Sequence, residues 1–229
     1  MKLTFTFLGM LLSSSLSFSQ IYEIGGFVGG SNFIGDVGST TYVNPNKIAF
    51  GGVFKWNRSP RHSFRASLIY AVLSADDTKS SDPRRTLRGY SFNSKTLEAS
   101  AGIEFNFLDF DLHKGVSMST PYIYTGISML NHPNFYFSNT DLVSEKTRSN
   151  AFGIPITLGF KTTLTAHIII AVEVGARYTF SDEIDGSEAD AEELKKIRRF
   201  GNFNNTDWYV FSGFTLTYTF GRKPCYCNF

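Results

Sequence analysis

The feature that most constrains the fold is a two-residue alternation of apolar and polar side chains, repeated in runs of ten or more residues. Apolar residues occupy every second position from Leu97 to Phe107, and Ile168 to Phe180 repeats the pattern, interrupted only by Ile169. Because successive side chains of a strand point to opposite faces, such runs predict strands with one apolar face. Strands in soluble sheets are usually about 5–6 residues long, whereas a tilted strand needs about 9–11 residues to cross a bilayer. The runs therefore predict strands that cross a membrane.

The same alternation predicts eight strands, and bacterial single-chain membrane barrels have an even number. The predicted strands lie near Tyr22–Gly30, Lys47–Asn57, His62–Leu73, Leu97–Phe107, Pro121–Leu130, Phe152–Thr163, Ile168–Phe180 and Asp207–Gly221. Long polar segments (31–46, 74–91, 131–151 and 181–206) alternate with shorter ones (58–61, 108–120 and 164–166), as at the outer and periplasmic ends of such barrels. We therefore predict an all-β fold over residues 20–221: an eight-stranded antiparallel transmembrane β-barrel of the outer-membrane type, with both termini in the periplasm.

The N-terminal residues 1–19 are predicted to form a cleaved signal peptide. Lys2 precedes an apolar stretch, Leu3–Leu12, and a run of mostly small residues follows at Ser13–Ser19. The apolar stretch is shorter than the roughly 20 residues of a spanning helix. The chain is therefore expected to be exported, and to cross any membrane with strands.

At the other end, residues 222–229 are predicted to form a short periplasmic tail. It carries Arg222 and Lys223, and also Cys225 and Cys227, the only two cysteines of the chain. Two such cysteines neither make a disulfide scaffold nor supply the four ligands of a structural zinc site. A bond to a partner protein is left open.

The alternation alone does not decide which face lies inside the barrel, because soluble carrier barrels place the apolar face inward. Here the polar face is rich in Gly, Ser and Thr, which suit a narrow interior, and it carries full charges in mid-strand. The last strand also ends in Phe220 after an apolar residue at every second position, as in barrels recognised for membrane insertion. These features predict that the apolar face points outward.

The polar face is then expected to line the lumen with as many acidic as basic residues. These eight residues are Glu23, Glu98, Glu104 and Glu173 as acids, and Lys55, Arg65, Lys161 and Arg177 as bases. Buried charges are tolerated when they are paired. We therefore predict an ion-pair network that closes the lumen, without an open pore.

Composition and motifs argue against catalysis and against cofactors. The net charge of +2 comes without a basic stripe, so no nucleic-acid partner is expected, and no small-molecule substrate is indicated. His62 and Ser63 are the one suggestive nucleophile pair, but no carboxylate lies near them in the sequence. The acidic segment 182–186 lacks the spacing of a calcium loop and is expected to be solvated, and Ser187–Arg199 has helical propensity. The sequence predicts no enzyme, no metal site and no cofactor.

Several segments resemble the PorG-like outer-membrane barrels of the type IX secretion system of Bacteroidetes. The matching stretches are YEIG (22–25), GGSNFIGDVG (29–38), KWNRSPRH (55–62), RGYSF (88–92), EFNFLDFDLH (104–113), PYIYTG (121–126), EVGARYTF (173–180) and DWYVFSGFTLTYTFGRKPCYC (207–227). Segments 131–151 and 187–199 match least, as expected for variable external loops.

The resemblance implies a non-enzymatic barrel that anchors or assembles the periplasmic ring of the secretion machine, on which gliding also depends in some species. The implied partners are outer-membrane lipids and ring proteins that are PorK- and PorN-like, or GldK- and GldN-like. From the predicted topology we infer that the partner-facing residues lie at the periplasmic end. They are Arg58, Arg61, His62, Asp109, Asp111, His113, Arg222, Lys223, Cys225 and Cys227. The alternative is a generic eight-stranded barrel that acts in adhesion or envelope integrity.

Overall fold

The structure, a computed structural model, describes residues 21–112, 114, 116–138, 141–187, 189–201 and 206–221. The predicted signal peptide and C-terminal tail therefore lie outside the described residues. The strands are β1 (Ile21–Ile34), β2 (Lys47–Asn57), β3 (His62–Asp76), β4 (Ser91–Asn106), β5 (Ser119–Ser138), β6 (Asp141–Thr163), β7 (Ile168–Thr179) and β8 (Trp208–Gly221). Each strand pairs antiparallel with its sequence neighbours, and β1 pairs with β8, so the sheet closes into a barrel. The predicted eight-stranded antiparallel barrel is confirmed.

The two ends of the barrel differ in their connections. One end, the short-turn end, carries the connections 58–61, 107–118 and 164–167, together with Ile21 and Gly221, which pair with each other. The opposite end, the long-loop end, carries the connections 35–46, 77–90 and 180–207, and also Ser138 and Asp141, where β5 ends and β6 begins. A 3-10 helix (Asp77–Lys79) and helix α1 (Pro83–Arg88) occupy the second long loop. Helix α2 (Glu192–Arg198) lies within the segment predicted to be helical. In the described parts of the chain, no helix has the length and apolarity needed to cross a bilayer.

The prediction of a long irregular loop at 131–151 is wrong. Strands β5 and β6 continue through this segment as a hairpin that projects beyond the barrel wall, because β5 pairs with β4 only as far as Asn131. The segment lacks the apolar alternation that marks the other strands, because a hairpin outside the barrel wall needs no regular apolar face. Its extended conformation was therefore not predicted. Its inner side is nevertheless apolar, with Phe135 and Phe137 buried.

The apolar face of each strand points outward, as predicted. On β4, Leu97 and Ile103 are exposed, whereas the residue that follows each of them, Glu98 and Glu104 respectively, is buried. On β7, Val172 is exposed and Ile169, the exception in the alternation, is buried inside. The outward orientation of the alternation is therefore confirmed.

Inward-facing glycines allow neighbouring strands of the barrel to approach closely. Gly102 on β4 pairs with Gly126 on β5, and a Cβ atom built on Gly102 would lie 2.1 Å from the carbonyl oxygen of Thr125. Even alanine at this position would force the two strands apart.

The lumen contains two layers, of which the sequence predicted one. The half nearer the short-turn end holds six of the eight charged residues; Glu98 and Arg177 lie at the border with the other half, since Glu98 pairs in register with Ile69 and Leu130. The half nearer the long-loop end holds an apolar core that includes Phe27, Ile69, Leu73, Phe92, Leu130, Phe135 and Phe211. Tyr90 and Phe200 from the loops pack against this core, and Tyr90 stacks on Phe137 with ring centroids 4.2 Å apart. The long loops therefore close the barrel with aromatic side chains.

Candidate functional site

The centre of the charged layer is Glu104, on β4. Its Oε1 accepts hydrogen bonds from Lys161 Nζ at 2.6 Å and from Lys55 Nζ at 3.0 Å, and its Oε2 lies 2.8 Å from Lys55 Nζ. Arg65 Nη1 lies 3.7 Å from the same Oε2. All four side chains are buried. One carboxylate therefore joins cations from β2, β3 and β6 across the lumen.

Arg65 links this group to a second carboxylate, Glu173 on β7. Its Nη1 and Nη2 each donate to one oxygen of Glu173 at 2.8 Å, which is the two-pronged geometry that favours arginine over lysine. The hydroxyl of Tyr122 also donates to Glu173, and the guanidinium of Arg65 lies over the ring of Tyr124 at 4.9 Å. These contacts fix the guanidinium in one position.

The remaining predicted lumen residues form smaller groups. Arg177 donates to Glu98 through Nε at 3.1 Å, and the hydroxyl of Tyr209 donates to Glu98 Oε2 at 2.7 Å. Phe211 stacks on the guanidinium of Arg177, 4.4 Å from Cζ to the ring centroid. The eighth residue, Glu23, forms no ion pair within the described part of the chain and accepts hydrogen bonds from Asn57 and Thr217, each at 2.8 Å.

The structure thus brings all eight predicted residues into the lumen, where they form two ion-paired groups and one hydrogen-bonded carboxylate. Sequence reasoning missed the neutral partners Asn57, Tyr122, Tyr209 and Thr217. Position in the alternation could have identified Tyr122, which lies two positions from inward-facing Thr120 and Tyr124. The eight side chains are buried and mostly paired with one another, which supports the expectation of a closed lumen.

At the short-turn end, the structure brings the 58–61 turn against the 107–118 connection. Arg61 forms an ion pair with Asp109 and donates to the carbonyl of Phe107. The side-chain amide of Asn106 donates to the carbonyl of Pro60 at 2.9 Å. Arg58 is exposed, and Asp111 lies 4.0 Å from Lys114. These contacts give that end a defined polar surface.

The His62–Ser63 pair is not assembled as a nucleophile and its base. Ser63 points into the barrel and its hydroxyl donates to Asn57 Oδ1 at 2.6 Å, whereas His62 is exposed and packs edge-on against Phe105. The two residues lie on opposite faces of β3. Of the other residues predicted to face a partner, His113, Arg222, Lys223, Cys225 and Cys227 lie outside the described residues.

The sequence matches one family model along nearly its whole length. A family model described as "Domain of unknown function (DUF6089)" matches residues 2–229. The chain belongs to the DUF6089 family. No curated protein matches it significantly.

Among solved structures, this DUF6089 chain is similar to several bacterial barrels. The N-terminal β-barrel domain of Pseudomonas aeruginosa OprF is 12% identical with a TM-score of 0.44, over 88% of this chain and 98% of that one. Ail of Yersinia pestis is 9% identical with a TM-score of 0.48, over 89% and 100%. The outer membrane protein OprG of Pseudomonas aeruginosa is 12% identical with a TM-score of 0.44, over 89% and 97%. At these identities and TM-scores the similarities carry no information on function.

The long-loop end of the DUF6089 chain contains a group of aspartates that the sequence did not bring together. Asp185 accepts hydrogen bonds from the backbone N–H groups of Asp36 and Val37, and Asp207 accepts one from Ile184. The segment 184–187 is buried, so the expectation of a solvated acidic loop is wrong. Backbone hydrogen bonds across the loops, which a sequence does not reveal, hold these carboxylates inside.

Burial and mutual repulsion raise the pKa of the carboxyl groups in this cluster. Burial, followed by the nearby charges of Asp185 and Asp36, raises the pKa of Asp182 to about 7. Burial also raises the pKa of Asp207, again with contributions from Asp185 and Asp182. Among the described residues, no group of three His, Cys, Asp or Glu side chains is placed to hold a metal ion. Burial and mutual repulsion thus favour the protonated form of these carboxyl groups.

Proposed function

We propose that the protein crosses the outer membrane as a closed barrel and serves the type IX secretion machinery as an anchor or assembly component of its periplasmic ring. The observation that carries the membrane part is the belt of apolar side chains around the outside of the barrel. Ile127 is 73% exposed, Val28 63%, Phe214 61% and Leu158 60%. Large apolar side chains are exposed on all eight strands, whereas soluble monomers rarely expose contiguous apolar patches larger than a few hundred Å².

The closed sheet supports the same proposal. In hydrocarbon each unsatisfied backbone N–H or C=O group costs several kcal/mol, so only helices and closed barrels can span a bilayer. Pairing of β1 with β8 leaves the sheet without an open edge. A membrane barrel has charged side chains inside and apolar side chains outside, as here, whereas a soluble carrier barrel has the reverse arrangement.

The secretion part of the proposal rests on the resemblance to PorG-like barrels, which runs through nearly the whole mature chain. We propose a role without catalysis, supported by the separation of His62 from Ser63 and by a plugged lumen. Ring proteins would contact the short-turn end, where Arg58 is exposed and Arg61 and Asp109 link two connections. The predicted tail, residues 222–229, follows directly from β8 at this end.

Membrane location and orientation can be tested together. With Cys225 and Cys227 replaced by serine, Ser59→Cys marks the short-turn end and Leu87→Cys marks the long-loop end. Intact cells treated with a membrane-impermeant maleimide should label only the second variant, and opened cells should label both. Labelling of Ser59→Cys alone in intact cells would show that the orientation is the opposite one. Release of the protein by carbonate washing would refute the membrane location.

The secretion role requires a separate experiment. A tagged barrel should recover ring lipoprotein partners from native envelopes in detergent, and deletion of residues 222–229 or an Arg58→Glu substitution should reduce that recovery. Lys196→Ala, an exposed change on α2 at the long-loop end, is the matched control and should leave recovery unchanged. Recovery of the barrel alone from envelopes that contain an assembled ring would contradict the secretion role.

That negative outcome would favour the second candidate, a stand-alone barrel for adhesion or envelope integrity. The observation in its favour is the ordered long-loop end, where aromatic contacts and buried carboxylates give the loops a fixed external surface. It predicts that changes in the long loops, and not in the tail, alter the phenotype.

A further inference from the structure

A polar cavity of about 430 Å³ lies at the long-loop end, directly beyond the terminus of β2. It forms because β2 starts at Lys47, whereas its neighbours β1 and β3 extend further, to Ile34 and Asp76. The hydroxyl of Ser31 donates to the carbonyl of Val72 at 2.6 Å, joining β1 to β3 across the gap that β2 leaves. A volume of this size is typical of small-ligand sites, which run from about 300 to 1,000 Å³.

One wall of the cavity is the 39–46 loop, and the buried side chain of Asn32 makes three hydrogen bonds to its backbone. The amide of Asn32 donates to the carbonyls of Thr41 and Tyr42, and its Oδ1 accepts from the backbone N–H of Asn44. The amide of Asn46 donates to the carbonyl of Ser74 on the opposite wall. A wall held by such contacts does not have to be ordered when a ligand binds, which reduces the entropic cost of binding.

The lining combines neutral polar groups with two cations. Among the described residues, the side-chain amides of Asn44 and Asn93 form no hydrogen bond, and each offers both donors and an acceptor, as sugar hydroxyls require. Lys47 and Lys79 are exposed, and within the described part of the chain neither forms an ion pair. Asp76 is the single acidic residue of the lining, and its Oδ1 already accepts hydrogen bonds from Thr78. Phe33 contributes little to this surface, because it is buried in the apolar core against Phe92.

The cavity lies next to the edge of the apolar belt. Ile48, the residue after Lys47, is exposed on the outer face, and Phe50 and Tyr70 pack against each other just beyond it. In a membrane barrel this is the level of the lipid headgroups, where aromatic girdles occur. The polar groups that the cavity offers to a ligand do not depend on the proposed membrane location, but the proximity of the cavity to lipid headgroups does.

From these observations we propose that the cavity binds a phosphorylated saccharide, with Lys47 and Lys79 contacting the phosphate and the asparagine amides contacting the sugar hydroxyls. Lysine is a common phosphate ligand, and amide groups match hydroxyls that both donate and accept. The same chemistry occurs in the headgroup of an outer-leaflet glycolipid and in a free sugar phosphate.

The first experiment uses the full barrel in detergent micelles at low salt, with glucosamine 1-phosphate as the probe and binding followed by calorimetry. Saturable binding is expected, and both N-acetylglucosamine and inorganic phosphate should bind about tenfold more weakly, since each lacks half of the contacts; a factor of ten is about 1.4 kcal/mol. Equal binding of inorganic phosphate would overturn the saccharide assignment, and absence of binding by glucosamine 1-phosphate would overturn the site.

Matched variants locate the site. Lys47→Ala with Lys79→Ala should reduce affinity about tenfold or more, while Lys47→Arg with Lys79→Arg should retain most of it, because the charge remains. Lys196→Ala, at the same end but not in the lining, should bind like the wild type. Equal affinity of the alanine double variant and the wild type would overturn the assignment of the two lysines.

A second experiment distinguishes the two possible sources of the ligand, a glycolipid headgroup and a free sugar phosphate. Barrels isolated from lipopolysaccharide-containing vesicles should retain lipopolysaccharide through detergent washing, and the alanine double variant should retain less. Retention that does not depend on the two lysines, combined with lysine-dependent binding of glucosamine 1-phosphate, would support a soluble sugar phosphate as the ligand. Because the first experiment needs no bilayer, failure of the membrane proposal would leave its result interpretable.

Discussion

The central carboxylate of the lumen offers the sharpest test of the interior. Glu104→Gln keeps the shape of the side chain and one acceptor oxygen, but removes the negative charge that Lys55 and Lys161 contact at 2.6–3.0 Å. Both lysines are fully buried, and so is Arg65 beside them. The substitution therefore leaves three buried cations in this group with Glu173 as its remaining acid.

The expected loss follows from that imbalance. Removing one partner of a buried ion pair typically destabilises a protein by about 3–5 kcal/mol, because the charge left behind cannot be solvated. With a urea slope of about 1–3 kcal/mol per M, the unfolding midpoint should fall by about 1 M or more. Adding Lys161→Met removes one of the surplus cations, so the double variant should lose less than the sum of the single losses, with a coupling of about 0.5–3 kcal/mol.

The assay is reversible urea unfolding of the barrel in detergent, followed by the fluorescence of Trp56 and Trp208 and by gel mobility. Glu193→Gln makes the same chemical change on the exposed surface of α2 and should shift stability by no more than about 0.5 kcal/mol. If Glu104→Gln and Glu193→Gln unfold at the same midpoint, the lumen charges are solvated, and the interior described above is wrong.

Three further predictions concern other parts of the barrel. In planar bilayers the wild-type protein should show no ion conductance, and discrete conductance steps would refute a plugged lumen. Asp182 has an ordinary pKa near 4 when unfolded and a pKa of about 7 when folded. A raised carboxyl pKa contributes stability that is complete below the unfolded value and is lost as pH rises through the folded value. Proteolysis of loop 180–201 should therefore accelerate from pH 5 to pH 8, and Asp182→Asn should flatten that dependence; equal rates at both pH values in the wild type would contradict the buried acid. Gly102→Ala should destabilise the barrel by about 1–3 kcal/mol, measured by the same urea assay, because its Cβ would meet the Thr125 carbonyl; unchanged stability would mean that the strands separate freely there.

The sequence predicts the wall of the barrel well because period-two alternation records directly which face of a strand is apolar. Leu97 and Val172 face outward and Glu98 and Glu173 inward, as their positions in the alternation require. The same parity identified every charged residue of the lumen. It did not give their partners, since the pairing of Arg65 with Glu173 joins residues 108 positions apart and depends on how the sheet closes.

The long-loop end could not be predicted in the same way. Phe135 and Phe137 lie in a polar segment, and their burial depends on Tyr90 and Phe200 from two other loops. The aspartates of that end are separated by up to 171 residues, from Asp36 to Asp207, and only the folded loops bring them together. Local pattern carries no information about such contacts.

The lumen charges also restrict the ways in which the strands can pair. A slip of one residue between neighbouring strands would turn every side chain of a strand to the opposite face. For β4 this would place Glu98 and Glu104 toward the outside and bring Leu97 and Ile103 into the charged layer. In a bilayer such a slip would expose carboxylates to hydrocarbon and would leave Lys55, Lys161 and Arg177 buried without partners, so two penalties act together. Since apolar side chains gain little by exchanging lipid for one another, the polar interior contributes much of the specificity for a single register, which the apolar core contributes in a soluble protein.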